Sequence, residues 1–157
     1  MGKMAEIRSI LDRSEELGFH NRHLCLLDAR AVKAAKENPH VIRSEVLPKD
    51  KTALVREFAG DFMAKEDETR SGVLTEINAR QRGYFIWNLV EMTTEKEKVE
   101  GLDPFALCAT FKSLHPAEVS RSFVSIGSPG IEKIIDIIEG QQETELLKSV
   151  ILADRGA

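Results

Sequence analysis

The stretch GVLTEINARQRGYFIWNLVEMTT, residues 72–94, decides how this chain folds, because it reads in two ways. Gly72 to Asn78 and Gly83 to Thr94 are rich in β-branched and aromatic residues, which suits a β-hairpin. Leu74, Ile77, Phe85, Leu89 and Met92 also recur at the spacing of one helix face. The flanking segments carry helical patterns, so helix is the expected state and a β-hairpin at 72–94 the minority alternative. The consequence is an all-α chain.

Upstream, Met4, Ile7, Ile10, Leu11 and Leu17 form an apolar stripe over residues 4–17, and Gly18 supplies a stop. Asn21 can cap a second helix running to about Asn38, with Leu24, Leu27, Ala31, Ala34 and Ala35 inward, before Pro39 ends it. Residues 39–50, with Pro39 and Pro48, read as an extended connection. From Asp50 onward, Leu54, Val55, Phe58, Ala59, Phe62 and Met63 share one helix face, and Asp61 and Lys65 stand at the favourable i,i+4 spacing.

Downstream, Glu95, Lys96, Glu97, Lys98 and Glu100 form a solvated end closed by Gly101, which makes 95–102 the one possible subdomain boundary. Short helical signatures follow. Asp103 and Pro104 form a cap and first turn for a stripe of Leu107, Cys108, Phe111 and Leu114. Pro116 opens the next, with Val119, Phe123 and Ile126 inward, and Ser128-Pro129 repeats the cap arrangement before Ile131, Ile134, Ile135 and Ile138. A last helix near Gln142 to Ala153 should bury Leu146, Leu147, Val150 and Ile151. The reading is a single helical domain over 1–157, a compact bundle or array of seven to eight helices with the short ones in the C-terminal third. The fragment Ser113-Leu114-His115-Pro116-Ala117-Glu118 is similar to the helix-start phrase of the N-terminal superhelices of flagellar-switch proteins and magnesium transporters. That six-residue resemblance implies short packed helices and nothing about activity.

Composition narrows the function classes. A chain of 157 residues with 42% hydrophobic and 31% charged residues has the profile of one soluble domain and should bury roughly 68–70% of its unfolded surface. Net charge is −4, so no whole-molecule basic field gathers nucleic acid. The charge is uneven: residues 1–56 carry 11 basic and 8 acidic side chains, residues 57–100 carry 6 and 10, and residues 101–157 carry 5 and 8. Such asymmetry permits self-contact. Cys25 and Cys108 lie far apart in apolar surroundings, as reduced core thiols do, which points to the cytoplasm. The start Met-Gly-Lys-Met-Ala-Glu carries neither a signal peptide nor a myristoylation signal, and Tyr84 to Val90 is far too short to span a bilayer, so no membrane partner is expected.

Few side chains form a reactive set. His20, His23 and Cys25 are the densest group of soft ligands and the weak metal candidates, but they straddle a helix start and match no zinc pattern. Glu37 and His40 are split by Pro39, which spoils a di-iron motif. Cys108 sits within an apolar stripe rather than beside a cation, so it lacks what a nucleophile needs. Gly127-Ser128-Pro129-Gly130 reads as a capped turn, since Pro129 removes an amide donor and no phosphate-loop Lys follows. No catalytic residue and no cofactor is assigned.

Arg80, Arg82, Tyr84 and Trp87 are the candidate interaction residues. They place the only Tyr and the only Trp beside two guanidiniums, and these residue types dominate binding hot spots. The competing structural reading makes Trp87 a core anchor and Arg80 and Arg82 a solvated end. On balance the sequence points to a non-catalytic, self-associating adaptor or regulatory subunit with a protein partner. The alternatives are a metal- or cofactor-binding protein using His20, His23 and Cys25, and a nucleic-acid-binding regulator using the basic first 56 residues, notably Arg22, Arg30, Lys33 and Lys36.

Overall fold

The computed structural model describes residues 2–20, 48–93 and 99–156. Among these there are eight helices and no strand: α1 (Gly2–Glu16), α2 (Pro48–Met63), α3 (Asp67–Glu76), α4 (Ala79–Thr93), α5 (Pro104–Lys112), α6 (Pro116–Val124), α7 (Gly127–Gly140) and α8 (Thr144–Gly156). The hairpin alternative for 72–94 is therefore overturned. Residues 72–93 are instead split between α3 and α4, which turn at Ile77 and Asn78, where Ile77 adopts an extended backbone, and residue 94 lies outside the described residues. The second helix expected at 21–38 lies outside the described residues.

α2 begins at Pro48 rather than Asp50, with proline in the first turn, where its missing amide costs no hydrogen bond. The caps of the short helices follow local chemistry. The Asp103 carboxylate accepts from the Ala106 amide at 2.8 Å, and the His115 ring Nδ1 accepts from the Ala117 amide at 3.2 Å. Ser128 does not cap α7 as expected. Ile126 occupies that position and contributes no side-chain hydrogen bond. The chain turns out of α1 and into α5 through left-handed residues, Gly18 at φ 84° and Gly101 at φ 79°, a conformation that costs glycine little.

The buried side chains make one contiguous cluster that includes residues before and after 95–102. Its first part is aromatic: Phe19 lies 4.9 Å from Phe58 and 5.1 Å from Phe85, and Phe85 lies 4.9 Å from Phe62. Its second part is aliphatic, built from Ile131, Ile134, Ile138 and Val150 around a T-shaped Phe111 and Phe123 pair at 5.4 Å. α6 connects the two, packing on α4 on one side and on α7 and α8 on the other.

Five stripe members are not where periodicity placed them. Met4 is 63% exposed and Ile151 is 36% exposed, while Leu54, Ile135 and Leu147 are only partly buried. The Asp61 and Lys65 pair also dissolves: Asp61 accepts from Arg13 of α1 at 2.9 Å, and Lys65 pairs with Glu6 of α1 at 3.2 Å. Interhelical partners replace the intrahelical one and tie α1 to α2.

Candidate functional site

α4 is buried along most of its length. From Arg82 to Met92 every residue is buried except Tyr84, Trp87 and Glu91, which are partly exposed. With Arg80, those three positions fall on one face at intervals of four, three and four residues. The only Tyr and the only Trp of the chain are thus on the single row that α4 leaves open.

Two cations lie on this row. The Arg80 guanidinium stands 5.6 Å from the centre of the Tyr84 ring, and its Nε–H donates to the Tyr84 hydroxyl at 2.9 Å. The Lys133 ammonium, from α7, stands 5.4 Å from the centre of the Trp87 ring. Both distances are within cation–π reach. Trp87 also packs against the core cluster, so its ring is held rather than free to swing. The result is a pre-ordered strip, the Tyr84 ring with Arg80 on it and the Trp87 ring with Lys133 on it, that ends at the Glu91 carboxylate.

Arg82 does not belong to it. Two residues on from Arg80, the side chain points to the opposite side of the helix, where it is 3% exposed. Its Nε–H donates to Ser122 Oγ at 2.6 Å, one terminal nitrogen donates to the Leu74 carbonyl at 3.1 Å, and the other pairs with the Glu118 carboxylate. Both the solvated-end and the interaction reading of Arg82 are therefore corrected. It caps the C-terminal end of α3, where carbonyls lack partners and the helix dipole favours a cation. Arg70 does the same one helix earlier, donating to the Met63 carbonyl at 3.1 Å at the end of α2 and pairing with Asp67.

Gly83 explains how α6 comes so close. A Cβ on Gly83 would sit 2.1 Å from the Ser122 carbonyl oxygen, a separation no side chain tolerates. Only glycine lets α4 and α6 cross here, and that crossing brings Ser122 and Glu118 within reach of Arg82.

The remaining candidates are occupied by structural roles. His20 is partly buried, with its Nε2 2.8 Å from Ser14 Oγ. The Ser14 hydroxyl already donates to the Leu11 carbonyl at 2.9 Å, so it accepts from His20, and Nε2 carries the hydrogen. Burial lowers the His20 pKa, against a smaller opposing pull from Glu15. His23 and Cys25, the other two metal candidates, lie outside the described residues, as do Arg22, Arg30, Lys33 and Lys36. Among the described residues no group of three His, Cys, Asp or Glu is placed to hold a metal ion. Cys108 is buried, and burial pushes its thiol up to about 11, so it is protonated at neutral pH.

A hollow of about 330 Å³ between α1 and α2 is lined by Ile10, Phe58 and Phe62 and by Glu6, Arg13, Asp61 and Lys65. Its four charged groups are engaged with one another across the two helices. Phe105 was missed by the sequence reading. Six of the seven phenylalanines are at most 1% exposed, while Phe105, in the first turn of α5, is 72% exposed. The signal was available, since Phe105 is out of phase with Leu107, Cys108, Phe111 and Leu114.

Compared with family models, curated proteins and solved structures, the chain matches none. Its function must therefore be read from the geometry. No described helix is long and apolar enough to cross a membrane.

Proposed function

We propose that this protein is a non-catalytic interaction module, an adaptor or regulatory subunit, that engages a protein partner through the open row of α4. One observation carries the reading: α4 buries everything between Arg82 and Met92 except a row of Tyr84, Trp87 and Glu91, and this Tyr and Trp, the only ones in the chain, each have a cation on the ring. Rigid aromatic side chains and arginine give large contact energy at low entropic cost, which is why they dominate hot spots. A protein partner is favoured over nucleic acid on two grounds. Arg80 and Lys133 already lie on rings that bases would have to stack on, and the net charge of −4 opposes a polyanion. A cytoplasmic setting belongs to this reading and rests on the sequence, whose two cysteines are far apart and in apolar stretches.

The test is site-specific photo-crosslinking in cells. A benzophenone amino acid at position 84 is expected to give a discrete protein adduct, one that the same probe at exposed Asp12 does not give. That adduct should disappear when Arg80→Glu and Lys133→Glu are added to a chain whose circular dichroism is unchanged. If position 84 yields no protein adduct, or one indifferent to those charge reversals, α4 is not the contact surface.

A further inference from the structure

The strip on α4 has an oppositely charged neighbour. α7 directs Lys133 toward Trp87, and on the next face of the same helix Glu132, Asp136 and Glu139 are all exposed. Their spacing of four and three residues makes a single row pointing away from Ile131, Ile134 and Ile138 in the core. None of the three makes an ion pair with a described residue, whereas the nearby Glu143 is engaged by Lys112 at 2.9 Å. The surface thus carries a band of two cations and two aromatic rings, ending at Glu91, beside an acidic band, and the two are joined through Lys133.

A band of one sign beside a band of the other is complementary to itself. Rotating a second copy by a half-turn about the line between the bands lays each cationic strip over the partner's acidic row, and both contacts form at once. Such isologous two-fold contacts are the commonest form of protein self-assembly. The local attraction opposes the general repulsion between two chains of net charge −4. The rings of Tyr84 and Trp87 supply apolar contact between the charged groups, as the centre of a stable interface requires.

Resting on the interaction reading above, we propose that the partner of the α4 strip is a second copy of this chain, and that Arg80, Tyr84, Trp87 and Lys133 of each copy meet Glu132, Asp136 and Glu139 of the other in a two-fold dimer.

Sedimentation at low salt tests this with two charge-reversed proteins. One carries Arg80→Glu and Lys133→Glu; the other carries Glu132→Lys, Asp136→Lys and Glu139→Lys. The natural chain is expected to dimerise, with affinity falling about tenfold or more as salt rises from about 0.05 to 0.5 M, since surface charges are screened. Each reversed protein alone should be monomeric, because both of its bands then have the same sign. An equal mixture of the two should dimerise again, each supplying what the other lacks. Emission from Trp87, the only tryptophan, should shift with association in the natural chain. If a reversed protein loses its circular dichroism signature, the single changes Arg80→Gln and Asp136→Asn replace it, each expected to weaken the dimer severalfold. A natural chain monomeric up to about 1 mM, the weak end of specific binding, overturns the proposal, as does a mixture that fails to associate or dimers indifferent to the reversals. If the chain is monomeric while the position 84 adduct to another protein persists, only the second copy is ruled out. If both fail, the interaction reading falls with it.

Discussion

The two faces of α4 carry the same residue types and put them to opposite uses. On the buried face Arg82 is enclosed by the C-terminal end of α3 and by Glu118 and Ser122 of α6, with Phe85 packed among Phe19, Phe58 and Phe62. On the open row Arg80 and Tyr84 contact each other, and Trp87 is reached by Lys133 of α7. A guanidinium inside the fold satisfies carbonyls and a carboxylate that would otherwise be stranded. One outside remains available to a partner. Position relative to the neighbouring helices, rather than side-chain chemistry, decides which role an arginine has.

Substitutions on the two faces should separate sharply, and the largest effect belongs to the aromatic cluster. Phe85→Ala leaves a cavity among three phenylalanines and is expected to cost about 3–5 kcal/mol in denaturant unfolding. Arg82→Met should cost about 3 kcal/mol, because the α3 carbonyls lose their cap and Glu118 keeps only Arg121. A loss no larger than that of Arg80→Met would break the contrast between the faces. Gly83→Ala forces α4 and α6 apart at the Ser122 carbonyl and should cost about 1–3 kcal/mol, with Arg82→Met and Gly83→Ala combining non-additively because they share Ser122.

Acid sharpens the same comparison at the edge of the aromatic cluster. The His20 pKa is lowered from its ordinary 6.5 by burial, so the folded state binds its proton less readily than the unfolded chain. Stability from this group is complete above about pH 6.5 and is lost as pH falls through the lower folded-state value. His20→Gln should flatten that part of the stability profile. A profile unchanged by the substitution would place the acid sensitivity elsewhere. On the open row, Arg80→Met and Lys133→Met are expected to change stability by no more than about 0.5 kcal/mol. Their effect should appear in association instead.

Much of this architecture was legible because it is local. Asp103 with Pro104, and Pro116 after His115, announce helix starts through backbone chemistry that needs no distant partner. The stripes of α2 and α7 state which side faces inward. Arg82 was misread for an instructive reason. With helix and hairpin both open for 72–94, its phase was undefined, since residues two apart share a face on a strand and oppose each other on a helix. Once α4 is known to be a helix, Arg82 falls with Phe85, Ile86 and Leu89, and only Arg80, Tyr84 and Trp87 remain together. The exposure of Met4 and Ile151 was not legible, because a stripe says which residues share a face and not which of them a neighbouring helix covers.

By itself the sequence determined the helical class, the starts at Asp103 and Pro116, and most of the inward faces, since each depends on contacts within a few residues along the chain. The tertiary structure alone decided that α4 is buried along most of its length, that Gly83 meets the Ser122 carbonyl, that Asp61 and Lys65 pair with α1, and that Lys133 reaches Trp87. These contacts join residues tens of positions apart, and which of them form depends on how the helices fill space against one another.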